Sequence, residues 1–285
     1  MADLISYGLP DGAARELEWS YRQLEHPSFA ARLSDVLATP VGEAMKLLPR
    51  DWKLWLDRST QISMRRTMGI AVGSLRATAA ADRPPPSRDW AHKLAIAGTG
   101  AVGGFFGPLS TLAELPVATA LMMRAIVAIA RSEGEDPHGS PETRLACVQV
   151  FALGGRTRDD EDAEIGYYGL RLTLGLHFEH ILEFAGKADG PHIPAMIQMT
   201  RALAARFGVV VSDKAAAQLV PVAGALSGAA LNLIFMQHYQ DVARGHFIVR
   251  RLERDYGAER VRRAYQALRT EELAAAREFS PVVGW

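Results

Sequence analysis

His177, His180 and Glu183 recur at intervals of three, which sets two imidazoles and a carboxylate on neighbouring faces of a helix. Such groups bind zinc or manganese, so the three are the candidates for a metal that would activate a water for hydrolysis. The order is neither H-E-x-x-H nor H-x-x-E-H, so the metalloprotease arrangement is absent. Surface or half-buried histidines account for the spacing equally well, and no resident metal is expected. His238 and His246 bracket Asp241 and Arg244 and are open to the same two readings. Nucleophilic hydrolysis has less support. No G-x-S-x-G elbow and no P-loop occur, and Cys147 lies among Leu145, Ala146, Val148 and Val150, an inert core environment.

Gly98-Thr99-Gly100-Ala101-Val102-Gly103 spells the dinucleotide-binding fingerprint. That chemistry needs a strand before the glycines, a helix opening at them and a second strand ending in an acid. Pro108 interrupts the required helix, and Val117 to Arg124 reads as helix where the second strand should be. NAD or FAD binding through Gly98–Gly103 is thus an alternative, and no cofactor is expected. Small residues one turn apart, Gly100 with Gly104 and Gly103 with Gly107, instead suit close helix packing, as do Gly224 and Gly228 after Pro221. Glu114 and Arg124 are the only charges between Lys93 and Arg131. A lone buried charge is costly, so the sequence predicts that the two form an ion pair inside this core, orienting the helix after Pro116. Arg124 is also the candidate to receive a carboxylate or a lipid phosphate.

The elements that would position these groups read as helices throughout. Leu17 to Leu24 repeats apolar residues every three or four, and Pro27, Pro40 and Pro49 punctuate the helices of region 1–82. Arg83-Pro84-Pro85-Pro86-Ser87 cannot donate backbone hydrogen bonds through its prolines and marks a linker over 83–89, before a helical core at 90–285. In that core Gly134 is suited to a helix end, and Pro141 lies just before a helix running to Leu153. Further helices are expected from Ile165 to Phe184, from Pro191 to Phe207, and from Lys214 to Glu278 with a break near Gly257. Gly208-Val209-Val210-Val211-Ser212-Asp213 is the one strand-like run, with Asp213 placed to cap the next helix. No alternation persists long enough for a sheet, so the predicted fold is an all-α, multi-helix bundle with glycine-rich, closely packed central helices.

Composition narrows the classes. The chain has 285 residues, 48% apolar and 22% charged, enough to bury a core and far from a disordered composition. Thirty-two basic residues balance 32 acidic ones, so no global field draws it to nucleic acid. One cysteine excludes an intrachain disulfide framework and fits a reducing compartment, and the first fifteen residues lack the order of a secretory signal. No charge falls between Lys93 and Glu114 or between Lys214 and Asp241, yet both stretches are rich in small residues and broken by proline, which suits buried or membrane-docked helices better than spans. Trp52 and Trp55, with Lys53, Arg58, Arg65 and Arg66, give a helix that suits either a membrane interface or, as favoured, core packing of both rings. Arg250, Arg251, Arg254, Arg260, Arg262 and Arg263 form a basic stretch able to touch phosphates.

The glycine cluster Gly100, Gly103, Gly104 and Gly107, then Glu114-Leu115-Pro116, Arg124, Ile126, Ile129-Ala130 and Val150 to Gly154, resemble the EcsC family of bacterial proteins. So do Pro221, Gly224, Ala225, Asn232, Ala243 and Phe247 in a second block. The family usually has Asp where Glu114 stands, a longer carboxylate with altered reach. The resemblance implies a membrane-associated accessory or regulatory protein of the cytoplasm, acting with an ABC transporter or the protein secretion machinery. It brings no established reaction. A non-enzymatic protein bound peripherally to a membrane or a membrane-protein complex, with lipid a possible ligand, is therefore expected; a metal-dependent hydrolase is the alternative.

Overall fold

The computed structural model describes residues 4–27, 29–37, 46, 51–73, 108–155, 157, 166–184, 192–218 and 228–279. Among them a 3-10 turn at Leu4–Tyr7 precedes nine α-helices, and no strand occurs. The helices are α1 (Asp11–Glu25), α2 (Phe29–Leu37), α3 (Trp52–Gly73), α4 (Pro108–Ser132), α5 (Pro141–Leu153), α6 (Tyr167–Phe184), α7 (His192–Ala217), α8 (Gly228–Tyr256) and α9 (Ala258–Phe279). The all-α fold expected from the periodicity is the fold observed. The close-packing residues Gly100, Gly103, Gly104, Gly107, Pro221 and Gly224, like the proline segment, lie outside the described residues; Gly228 opens α8.

The centre of the molecule is α5. Ser140 starts it by accepting a hydrogen bond from the Thr143 N–H at 3.1 Å, and Pro141 fills the first turn where its missing N–H costs nothing. Every residue from Thr143 to Leu153 is buried, because α3, α4, α6, α7 and α8 surround this short helix. Its apolar residues occur on every side, with Thr143, Arg144 and Gln149 the polar exceptions among the buried positions, so it has no face suited to solvent. The long α7 and α8 flank it. Phe151, Phe207, Phe235 and Tyr239 interlock ring against ring, with centroids 5.3 to 6.1 Å apart, joining α5, α7 and α8. Outside this layer α1 lies on α8 through Ala13, Leu17, Tyr21 and Leu24, which recur at helical spacing, and α3 lies on α7 and α4.

Two glycines end helices as the sequence predicts. Gly134, at φ 80°, closes α4 with the Glu135 N–H bonded back to the Ala130 carbonyl at 3.0 Å, and Gly257, at φ 93°, separates α8 from α9. The turn after α4 is then clamped onto α8. Glu135 accepts from Arg250 at 2.8 and 3.1 Å, from Thr143 Oγ1 at 2.7 Å, and from Arg254, while Glu133 and Glu16 hold Arg251 at 2.7 and 2.9 Å. Burial opposes the Glu135 charge, but Arg250, Thr143 and Arg254 outweigh it and hold the carboxyl below its usual range.

Three expectations are corrected. The run 208–213 is not a strand: it lies inside α7, where Val210 and Val211 pack into the core, and Asp213 sits within that helix instead of capping one. Glu114 and Arg124 cannot form a direct pair, because both belong to the continuous α4, ten residues and thus about 15 Å apart along its axis. Arg124 is exposed, not buried, while the side chain of Glu114 lies outside the described residues. Trp52 packs partly against the core, but Trp55 is 57% exposed. In the basic stretch Arg250, Arg251 and Arg254 hold Glu135, Glu133 and Glu16, while Arg262 and Arg263 pair with Glu259 on the exposed side of α9.

Candidate functional site

A cavity of about 310 Å³ opens where the α1–α2 junction, the end of α5 and the middle of α7 meet. Glu25, His26, Pro27, Phe29 and Ala30 form one wall, Gly154 and Gly155 the second, and Val209, Val210 and Asp213 the third. The glycines permit the approach of the walls. A Cβ on Gly155 would collide with the Arg206 carbonyl oxygen of α7, and one on Gly154 would strike the Tyr239 ring, at Cε1 and Cζ.

Most polar groups of this wall are already paired. Glu25 Oε1 accepts from the Tyr167 N–H at 2.9 Å and the Tyr265 hydroxyl at 3.1 Å, and His26 Nε2 lies 2.6 Å from Glu272. His238 Nε2 lies 2.6 Å from the Gly154 carbonyl, which can only accept, so Nε2 carries the proton and Nδ1 is left as an acceptor with no partner. Burial pushes this imidazole down to about 4, so it is neutral at neutral pH. Two groups differ. No donor among the described residues reaches the Asp213 carboxyl, which burial alone pushes up to about 6. The Tyr239 hydroxyl is fully buried, has no hydrogen-bond partner, and lies close enough to Asp213 for that charge to raise its pKa further, after burial.

A second polar cluster joins α6 to α8. Arg171 donates to Tyr167 Oη at 3.3 Å and to Glu253 at 2.9 Å, Tyr168 donates to Glu253 at 3.0 Å, and Tyr167 Oη lies 2.9 Å from His246 Nδ1. Tyr167 Oη and His246 Nδ1 share one hydrogen bond, and His246 is neutral, its pKa driven well below the usual value first by burial and then by Arg171 and Arg250. This network ties α6 to α8 and is structural. His246 and His238 are therefore core histidines of α8, each bonded through one ring nitrogen while the other, Nε2 of His246 and Nδ1 of His238, has no hydrogen-bond partner, and Asp241 pairs with Arg32 at 2.7 Å.

The third feature is a surface. Along α3 the exposed positions include Leu54 at 72%, Trp55 and Ile62, interleaved with Arg58, Arg65 and Arg66, with Asp57 the one acid among them. The adjoining α4 adds Val117, at 51%, and Arg124. None of these four arginines forms an ion pair with a described residue. Residues Leu115–Ser132 of α4 are long and apolar enough to cross a membrane, and 44% of them are buried inside the bundle, as a core helix also requires.

Of the remaining candidates, Pro116 sits inside α4 and His177 is half-buried on α6, while the side chains of His180 and Glu183 lie outside the described residues. Among the described residues no three His, Cys, Asp or Glu side chains gather as a metal site. Cys147 is buried, and burial pushes its thiol up to about 12, as an inert core position requires. The fingerprint glycines lie outside the described residues, and no described strand supplies the sheet they would need. The reading of the sequence missed Asp213 as a cavity residue and Tyr239 altogether. A signal existed: Asp213 and Lys214 are the only Asp, Glu, Lys or Arg between Arg206 and Asp241.

By fold this is an all-α bundle protein wrapped around one buried helix, in which ionic and tyrosine networks join the helices and one cavity keeps an uncommitted carboxyl. The chain matches the EcsC protein family over residues 29–252, more than half of its length, and belongs to that family. No curated protein and no solved structure matches it.

Proposed function

We infer that this EcsC family member is a non-enzymatic accessory or regulatory protein that docks peripherally on the cytoplasmic face of a membrane, beside a transport system such as an ABC transporter. The observation that carries the reading is the outer stripe of α3. Three large apolar side chains alternate there with three arginines that no described acid neutralises. Leu54, Trp55 and Ile62 suit the depth of lipid headgroups, where an indole gains from one wet and one apolar side. Arg58, Arg65 and Arg66 meet anionic phosphates, each basic residue contributing about 1 kcal/mol near such a surface. Arg124 is a further exposed arginine on the adjoining α4. A peripheral position also keeps Arg124 out of the bilayer core, where a helix spanning at Leu115–Ser132 would have to place it.

Flotation of the full chain with phosphatidylglycerol or phosphatidylcholine vesicles tests this. Binding is expected to the anionic vesicles alone, to weaken as salt rises, and to fall several-fold in the triple variant Arg58→Gln, Arg65→Gln, Arg66→Gln with the fold intact by circular dichroism. Equal recovery with both lipids, or full binding by the variant, would remove the stripe as the docking surface.

A further inference from the structure

The cavity between α1–α2, α5 and α7 goes beyond membrane docking, and its unpaired groups are mostly of one kind. Asp213 presents a carboxyl with no donor, His238 Nδ1 is an acceptor without a partner, and Tyr239 Oη is unpaired and can accept as well as donate. The first of these lines the cavity. The other two stand behind its wall: the Tyr239 ring meets Gly154 through Cε1 and Cζ, its phenol end, and the His238 ring lies 5.3 Å from that of Phe29. The wall also contains the C-terminal end of α5, which carries the negative end of a helix dipole. The cationic side chains beside the cavity, by contrast, are engaged elsewhere, Arg206 through Nη1 on the Ala202 carbonyl at 3.2 Å. His26 is held by Glu272, and Arg32, on the adjoining α2, by Asp241 and Gln23. Apolar contact comes from Phe29, Ala30, Val209 and Val210.

We propose that this cavity binds a small organic cation, a primary ammonium on an apolar body of about ten heavy atoms, with the charge on the Asp213 carboxylate. An ammonium brings three donors and no acceptor, which matches a site whose unsatisfied groups accept. Asp213 neutralises the charge, and the Tyr239 oxygen offers a second acceptor once a small shift of Gly154 uncovers it. The apolar body lies along Phe29, Val209 and Val210. A carboxylate or phosphate finds the reverse of what it needs, since Asp213 and the end of α5 both repel it. The reading is independent of the α3 stripe: vesicle binding and amine binding can fail separately.

The experiment is calorimetric titration of the full-length protein, at a pH above 7, with benzylamine, phenethylamine and hexylamine. Phenylethanol serves as the neutral isostere of phenethylamine and 3-phenylpropanoate as the anion. At least one amine is expected to bind saturably, the alcohol about tenfold or more weaker, a difference of about 1.4 kcal/mol, and the anion not measurably. Asp213→Asn keeps the shape and removes the charge, and should weaken the amine at least about tenfold, while Ala30→Leu, which fills the cavity without touching a charge, should abolish binding. Both variants are checked for an unchanged helical spectrum. If none of the three amines binds at millimolar concentration, if the alcohol binds as tightly as the amine, or if Asp213→Asn leaves the affinity unchanged, the cavity is not a cation site.

Discussion

At the scale of single residues, the buried titratable groups divide by whether a partner offsets their burial. Glu135 has three donors and is held ionised; His238 and His246 avoid the cost by staying neutral; Asp213 has neither remedy. Its carboxyl ionises near 3.8 when unfolded and near 6 when folded, so the folded state retains a proton that the unfolded state has lost between those values. The cost of the buried charge is absent below about 4 and complete above about 6, on the order of 1–2 kcal/mol after allowance for its solvent-facing edge. Asp213→Asn should accordingly melt several degrees higher than the parent above pH 7, and the gap should narrow as pH falls through 6 toward 4. His238 acts in the opposite sense. Its folded pKa near 4 lies below the ordinary 6.5, so its contribution is whole above 6.5 and lost as pH falls to 4. That term is common to both proteins and cancels in the difference between their melting curves. A gap independent of pH would show that Asp213 is solvated.

At the scale of elements, the fold depends on a few junctions. The α4–α5 turn is one, because the Glu135 carboxylate is only 4% exposed and joins α4, α5 and α8 through Thr143, Arg250 and Arg254. Glu135→Ala would leave the Arg250 guanidinium, itself 18% exposed, without its counter-charge. A loss of about 3 kcal/mol is expected in urea unfolding, and less for Glu135→Gln, which keeps the packing and one hydrogen bond. A change under about 1 kcal/mol would mean that solvent replaces the pair. This junction was only half legible beforehand. Gly134 announces the helix end, because a positive φ suits glycine alone, but nothing local to Glu135 says which arginine will meet it 115 residues later. The misread elements have related causes. Three valines in a row favour a strand locally, yet burial against α5 and α8 settles 208–213 as helix. Glu114 and Arg124 invited pairing because they stand alone in an apolar segment, and the unbroken helix through Pro116 holds them apart.

At the scale of the whole molecule, the question is whether the prolines at 84–86 divide it. Helical periodicity and the glycine stops made the all-α class readable, whereas the Asp213 cavity depends on three segments far apart in sequence and could not be read from any one of them. The same long-range contacts bear on the division. One core includes Leu17, Tyr21, Leu24, Phe29, Leu33, Leu56, Met64 and Met68 together with the buried residues of α4 to α9, and the family match runs from residue 29 to 252 across the proline segment. Glu25 adds a polar tie, accepting from Tyr167 on α6 and Tyr265 on α9. Removing residues 1–82 would expose the partners of those eight side chains, each worth about 1.5–3 kcal/mol of burial, which together is comparable to or larger than the roughly 5–15 kcal/mol by which a folded chain is stable. The fragment 90–285 is therefore expected to aggregate or to lack a cooperative melt, while the full chain unfolds in a single calorimetric transition. Adding a separately expressed 1–82 during refolding should recover part of the cooperative signal, since the two pieces carry complementary apolar faces. A fragment 90–285 that melted cooperatively on its own, with the full chain showing two transitions, would establish the proline segment as a true domain boundary and reduce the α1–α8 and α3–α7 contacts to docking between independent units.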